Sequence, residues 1–150
     1  MNMLPFFLLL CALFGASYSA NECPTGWIFH PDSTECYFIS TILYTFDESV
    51  ALCDQIGGKP ATIGSFYEKS VFNEMFNSST LQPWIGARRN KTDNKFYSLD
   101  NTYFWSSYWS TNEPGINGDC VTYRGVQAVG MQVTQCYQLQ PAFCKQTPAL

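Results

Sequence analysis

Pro83-Trp84-Ile85-Gly86-Ala87 reads as a buried strand entered from a proline. Proline biases its neighbourhood away from helix. Trp84 fills core volume, and Gly86 lets another backbone come close. Upstream, the pattern predicts two helices. Thr45-Phe46-Asp47-Glu48 is a capping box with Thr45 as N-cap. Val50, Leu52, Cys53 and Ile56 follow at helical spacing, and Gly57-Gly58 stops that helix. Ser65-Phe66-Tyr67-Glu68 is a second capping box, followed by Val71, Phe72, Met75 and Phe76. Residues 59–63, between the helices, are short and extended.

Downstream, residues 88–118 are rich in Asn, Ser, Thr, Gly and aromatics and carry no helix signal. So long an irregular stretch in a compact domain is usually functional or disordered. The rings of Phe96, Tyr97, Tyr103, Phe104, Trp105, Tyr108 and Trp109 argue for an ordered loop packed on the core. Cys120-Val121-Thr122-Tyr123 and Ala142-Phe143-Cys144 read as closing strands. Strand, two helices, strand, long loop, strands is an α+β order.

The 150 residues suit one domain. Residues 1–19 read as a signal peptide: an apolar run at 4–14 broken only by Pro5, then small residues including Ser17 and Ser19. Cleavage after Ser19 puts those two serines where small side chains are preferred. The run is too short for a bilayer, which needs about 20 apolar residues, and no second run follows. The expectation is a secreted, extracellular protein with its domain at 23–145 and no membrane span. The leader has no charged side chain, so the rest carries the formal charge of -4. A pI near 4.7 argues against nucleic acid, whose readers present basic patches.

Of seven cysteines, Cys11 falls in the leader. Cys23, Cys36, Cys53, Cys120, Cys136 and Cys144 remain, an even set that implies a disulfide framework in a secreted chain. Spacing alone leaves the pairing open. No pair is spaced C-x-x-C and His30 is the only histidine, which argues against zinc.

These anchors together resemble the C-type lectin-like domain family in its long, six-cysteine form. Cys23-Pro24-Thr25-Gly26-Trp27 and Cys36-Tyr37 are similar to the family's opening, and Trp84-Ile85-Gly86-Ala87 to its WIGL signature. Asp100 stands nine residues before Trp109, and Trp109 four before Glu113, as in typical members. Gly118-Asp119-Cys120, Cys136 and Phe143-Cys144 close the pattern. The resemblance implies a fold of two helices, small antiparallel sheets and a long irregular loop region. It also implies three disulfides: Cys23–Cys36, Cys53–Cys144 and Cys120–Cys136.

Members that bind sugar usually do so through Ca²⁺, which needs about six to eight oxygen ligands. The family supplies them from a Glu-Pro-Asn triplet, an acid two before the next cysteine, and the Asn-Asp of a Trp-Asn-Asp triplet. Here the first is Glu113-Pro114-Gly115, with glycine in place of the amide. Gly118 stands where the acid belongs. Counting back from Cys136, the last triplet is Met131, Gln132 and Val133. The resemblance therefore implies a degenerate calcium site at Glu113, Gly115, Gly118, Gln132 and Val133, with no Ca²⁺ or only weak binding. Glu113 then reads as a loop carboxylate or an acceptor for backbone amides. The family also carries a cis peptide at Pro114.

The function expected is a binding module for a glycan or an extracellular protein, with Glu113, Trp105, Tyr108, Tyr123 and Gln132 as candidate contacts. Alternatives are a calcium-dependent lectin with a divergent site and a structural matrix protein. An enzyme is disfavoured. A glycosidase needs two carboxylates across a cleft, and no motif poses Glu113 and Asp119 as such a pair. Asn77-Ser78-Ser79 and Asn90-Lys91-Thr92 are glycosylation sequons in polar segments. A defensive role against microbes rests on family analogy alone.

Overall fold

The structure, a computed structural model, describes residues 22–102 and 104–149. The expected leader with its Cys11, and Tyr103 in the long loop, lie outside the described residues. The elements are β1 (Ile28–His30), β2 (Glu35–Tyr44), α1 (Phe46–Gln55), β3 (Lys59–Pro60), α2 (Phe66–Phe76), β4 (Trp84–Arg89), β5 (Phe96–Ser98), β6 (Cys120–Arg124), β7 (Gly130–Thr134) and β8 (Gln140–Gln146). A 3-10 turn, Ser106–Tyr108, interrupts the long loop. The strands form two antiparallel sheets, ordered β1-β2-β8-β3 and β5-β4-β6-β7.

Helix α1 starts as its residues dictate. The Glu48 N–H donates to the Thr45 hydroxyl at 3.4 Å, and the Thr45 N–H donates back to the Glu48 carboxylate at 2.9 Å. This satisfies two donors that a helix start leaves without partners. Past the helix, Gly57 takes φ +83°, a left-handed conformation that glycine adopts without a Cβ clash. The buried face is Phe46, Ser49 and Cys53; Val50, Leu52 and Ile56 are half-buried. Two anchors set this rotation. Phe46 meets the Trp84 ring edge-on at 5.5 Å, and Cys53 is bonded to Cys144 on β8.

Helix α2 closes only half of its expected box. The Glu68 N–H donates to the Ser65 hydroxyl at 3.1 Å, but the Glu68 carboxylate reaches past Ser65 to the Gly64 N–H at 2.7 Å. Lys145 holds that carboxylate from the other side. Val71, Phe72 and Phe76 are buried, with Met75 packed against them.

Phe143 on β8 sits amid the core rings. It stacks on Tyr37 at 5.4 Å and meets Phe72 and Phe76 edge-on at 5.0 and 5.1 Å. Trp84 is 1% exposed, and its indole N–H donates to the Tyr44 carbonyl at 2.8 Å. Gly86 marks a close approach between the sheets. A Cβ there would lie 2.7 Å from the Pro60 Cβ and 3.0 Å from the Pro60 carbonyl.

The disulfides are Cys23–Cys36, Cys53–Cys144 and Cys120–Cys136. They tie the first described residues to β2, α1 to β8, and β6 to the turn after β7. The largest difference from the sequence reading is β2. Its ten residues show no alternation of buried and exposed positions, and a register shift falls between Ile39 and Leu43. Within residues 88–118, which carry no periodic signal, β5 pairs with β4.

Candidate functional site

The long loop leaves β5 at Ser98 and returns at Cys120. Trp109 anchors its middle. It bridges to Met131 of β7 and packs against Phe96 at 5.0 Å and Phe104 at 5.7 Å. The Ser110 N–H donates to the Met131 carbonyl at 2.8 Å, and its hydroxyl donates to the Ala128 carbonyl at 2.7 Å. Phe96, Phe104, Tyr108 and Trp109 thus pack on the core, as the density of rings suggests, whereas Tyr97 is exposed.

Glu113 is next. The Glu113–Pro114 peptide is cis. The carboxylate turns inward. It accepts from the Val133 N–H at 3.1 Å and from the Gly115 N–H. A Cβ on Gly115 would lie 3.3 Å from the same carboxylate oxygen. Gly118 is more confined. Its φ is +155°, and a Cβ there would come within 2.5 Å of the Thr134 carbonyl oxygen. The absence of an acid at 118 is therefore matched by a backbone contact that admits none.

Beneath this turn lies Arg89, the last residue of β4. Its Nε donates to the Gly118 carbonyl at 3.2 Å, its Nη2 to the Gly115 carbonyl, and its Nη1 to Asn94 Oδ1 at 3.1 Å. Asp119 Oδ1 lies 3.5 Å from Nε, and the guanidinium sits 4.4 Å from the Phe96 ring centre. The side chain is only 9% exposed. Sequence reading did not single out Arg89. Its one legible signal was a cation on the strand that carries the Trp-Ile-Gly-Ala stretch.

The other candidate contacts separate. Trp105 and Tyr108 stay together, ring centres 4.9 Å apart and half-buried, with the Lys69 ammonium 4.3 Å from the Tyr108 ring. Tyr123 must be corrected. It is 0% exposed, packed on Phe72 at 5.1 Å, with its hydroxyl on Asn73 Oδ1, so it presents no ring face to a ligand. Burial pushes its phenol up to about 12. Gln132 is also inside: its amide donates to Thr122 Oγ1 at 3.1 Å and to Gln82. Asn77 and Asn90 are both exposed.

A second polar cluster was missed altogether. Lys145, 7% exposed, directs its ammonium to Glu68, to Thr62 Oγ1 at 2.7 Å and to Asp100 at 3.4 Å. Glu35 is 4.0 Å away. An open depression of about 370 Å³ lies beside it, lined partly by Glu35, Gly57, Gly58 and Asp100. The cluster joins β8, α2 and the start of the long loop.

The positions that would hold Ca²⁺ thus offer one carboxylate, already accepting from two amides. Around it stand two glycines, an inward amide and Val133. That donor set does not fit an ion that needs an oxygen-rich, negatively charged shell.

The family model described as Lectin C-type domain matches residues 42–146. The chain belongs to the C-type lectin domain family. Among curated proteins it is 28% identical over 109 residues to C-type lectin domain family 4 member M of Nomascus concolor, covering 69% of this chain and 27% of that one. CD209 antigen-like protein 2 of Macaca mulatta is 26% identical over 134 residues, covering 86% of this chain and 50% of that one. The chain spans between about a quarter and a half of the length of these relatives. Among solved structures, the cow CD23 carbohydrate-recognition domain, determined in the presence of a GlcNAc2Man3 oligosaccharide, superposes with a TM-score of 0.75 at 22% identity. That match covers 87% of this chain and 99% of that one. This likeness shows the C-type lectin fold. Proteins of the family are typically non-enzymatic binding proteins. No helix among the described residues is long and apolar enough to cross a membrane.

Proposed function

We propose that this chain is a secreted C-type lectin-like binding protein that engages its ligand without the usual calcium-dependent sugar site. The observation that carries this reading is the Glu113 carboxylate, committed to the backbone amides of Gly115 and Val133. Gly118 supports it, because the close Thr134 carbonyl leaves no room for an acid. A solved relative described as the Ca²⁺-independent C-type lectin SPL-2 of Saxidomus purpuratus has the same fold. Its TM-score is 0.73 at 24% identity, covering 83% of this chain and 94% of that one.

The ligand class to test first is a glycan. The Trp105–Tyr108 pair is half-buried rather than enclosed in the long loop, and partly exposed rings of this kind are what a sugar face stacks on. The leader expected at residues 1–19 and the exposed sequons at Asn77 and Asn90 agree with an extracellular glycoprotein. Catalysis is not part of this reading, because the Glu113 carboxylate is taken up by two backbone amides and no motif poses it with Asp119 as an acid–base pair. The experiment is a glycan array run with Ca²⁺ and with a chelator. Binding that survives the chelator is expected. Binding abolished by it would sink the reading, and silence under both conditions would move the ligand to a protein.

A further inference from the structure

The two loop residues that lack the family's calcium-ligating side chains, Gly115 and Gly118, both turn their carbonyl oxygens onto one side chain. Arg89 Nη2 takes the first and Arg89 Nε the second. We infer that the Arg89 guanidinium is the resident cation of this loop, holding residues 113–119 in shape in place of a metal ion. The inference deepens the calcium-independent reading and rests on it.

The physical case has three parts. First, all three nitrogens are engaged. A guanidinium presents its N–H groups in a fixed planar fork. Here each nitrogen has an oxygen partner: Gly118 carbonyl, Gly115 carbonyl and Asn94 Oδ1. Second, the charge is matched. Asp119 Oδ1 lies 3.5 Å from Nε, and the Phe96 ring lies 4.4 Å from the guanidinium carbon. Both favour a cation, the ring through its quadrupole. Third, the anchor is rigid. Arg89 is bonded through its own backbone N–H to the Asp119 carbonyl at 2.8 Å, and it pairs with Phe96 across the β4–β5 register. The cation is therefore carried on a strand whose backbone is held on one side by β5 and on the other by the returning end of the loop.

A bound Ca²⁺ gathers oxygens from all directions and can leave. Arg89 gathers four oxygens around its three nitrogens, adds one positive charge, and is covalently part of β4. Its role is that of a positioning residue. It sets where Glu113 and the exposed Ile116 stand and takes no direct part in binding.

The test reads amide hydrogen exchange along the full chain. In the wild-type protein, residues 113–119 should exchange at the same rate with excess Ca²⁺ and with chelator. Protection that appears only with Ca²⁺ overturns the inference, whatever any variant does. In Arg89→Met, which keeps the apolar stem over Phe96, the same amides should exchange roughly tenfold faster or more. Amides of β2, β6 and β8 should stay as in the wild type. Unchanged exchange at 113–119 overturns the inference. Arg89→Lys separates the fork from the charge. One ammonium cannot span both glycine carbonyls in the same way, so partial protection is expected, and full protection would overturn the role of the fork. Should Arg89→Met fail to fold, the wild-type and Arg89→Lys arms still decide. The glycan array reads ligand binding and the exchange reads loop order, so the two ideas fail separately.

Discussion

The Val133 backbone N–H donates to the Glu113 carboxylate at 3.1 Å, fastening the long loop to β7 through a charged acceptor. The Gly115 N–H shares that acceptor. A carboxylate in this position makes a stronger bond than a neutral carbonyl would. It is also spoken for, because a ligand seeking it must displace two amides.

Removing the acceptor should therefore loosen the loop. Glu113→Ala leaves two N–H groups short of a partner and is expected to cost about 1–3 kcal/mol in urea unfolding. Glu113→Gln keeps a carbonyl and should recover most of that loss. Equal stability of all three proteins would mean the carboxylate holds nothing.

Rebuilding the missing acid should fail for steric reasons. Gly118→Asp places a Cβ 2.5 Å from the Thr134 carbonyl and imposes φ +155° on a side-chain-bearing residue. A loss of about 1–3 kcal/mol is expected from the backbone conformation alone. Thermal unfolding measures it, and calorimetric Ca²⁺ titration of the variant should stay flat. A stable variant with a clear Ca²⁺ isotherm would refute the close approach.

The Lys145 cluster gives stability a defined pH window. Burial works to raise the Asp100 carboxyl, but hydrogen bonds from Thr102 and the Lys145 charge outweigh it and hold Asp100 below its ordinary 3.8. A depressed folded pKa adds stability above the unfolded value, and that stability is lost as pH falls through the folded one. Lys145 is the reverse case. Burial works to lower it, yet the Glu68 hydrogen bond and the charges of Glu68, Glu35 and Asp100 raise it above 10.5. Its contribution is complete below 10.5 and is lost as pH rises through the folded value. The unfolding midpoint should be level between these limits and fall beyond each. Lys145→Met should cost about 3–5 kcal/mol at neutral pH, because it strands buried carboxylates. Undiminished stability in that variant would show the ion pairs to be incidental.

The disulfides should differ in weight. Cys53–Cys144 closes 91 residues and Cys23–Cys36 only 13. On chain entropy, the paired Cys→Ser replacement should cost about 4–5 kcal/mol for the first and about 3 for the second. Denaturant midpoints of the two variants check the order, and a larger loss at Cys23–Cys36 would contradict it.

The parts legible in the sequence are those that short-range chemistry dictates. Thr45 and Glu48 cap α1 because three-residue spacing is enough to form the box. Gly86 announces a close approach, and Pro60 supplies it. The α1 face was less legible, because Cys53 and Phe46 are positioned by partners far along the chain. Strand β2 was hidden by its lack of alternation, and Tyr123 by a character that suits a core as well as a surface. Arg89 and Lys145 were hidden for a different reason. Their partners range from Asn94, 5 residues from Arg89, to Thr62, 83 residues from Lys145, with Glu35 farther still, and nothing local marks a cation that will be buried.

Those two cations have a joint consequence. Lys145 grips Asp100 where the long loop departs, and Arg89 grips Gly118 and Asp119 where it returns. Ile116, at 87% exposure between the grips, carries none of the frame. The outward tip of the stretch is thus a replaceable cassette. Diversifying Thr111, Ile116 and Asn117 would yield proteins of differing taste for ligands on one unchanged scaffold.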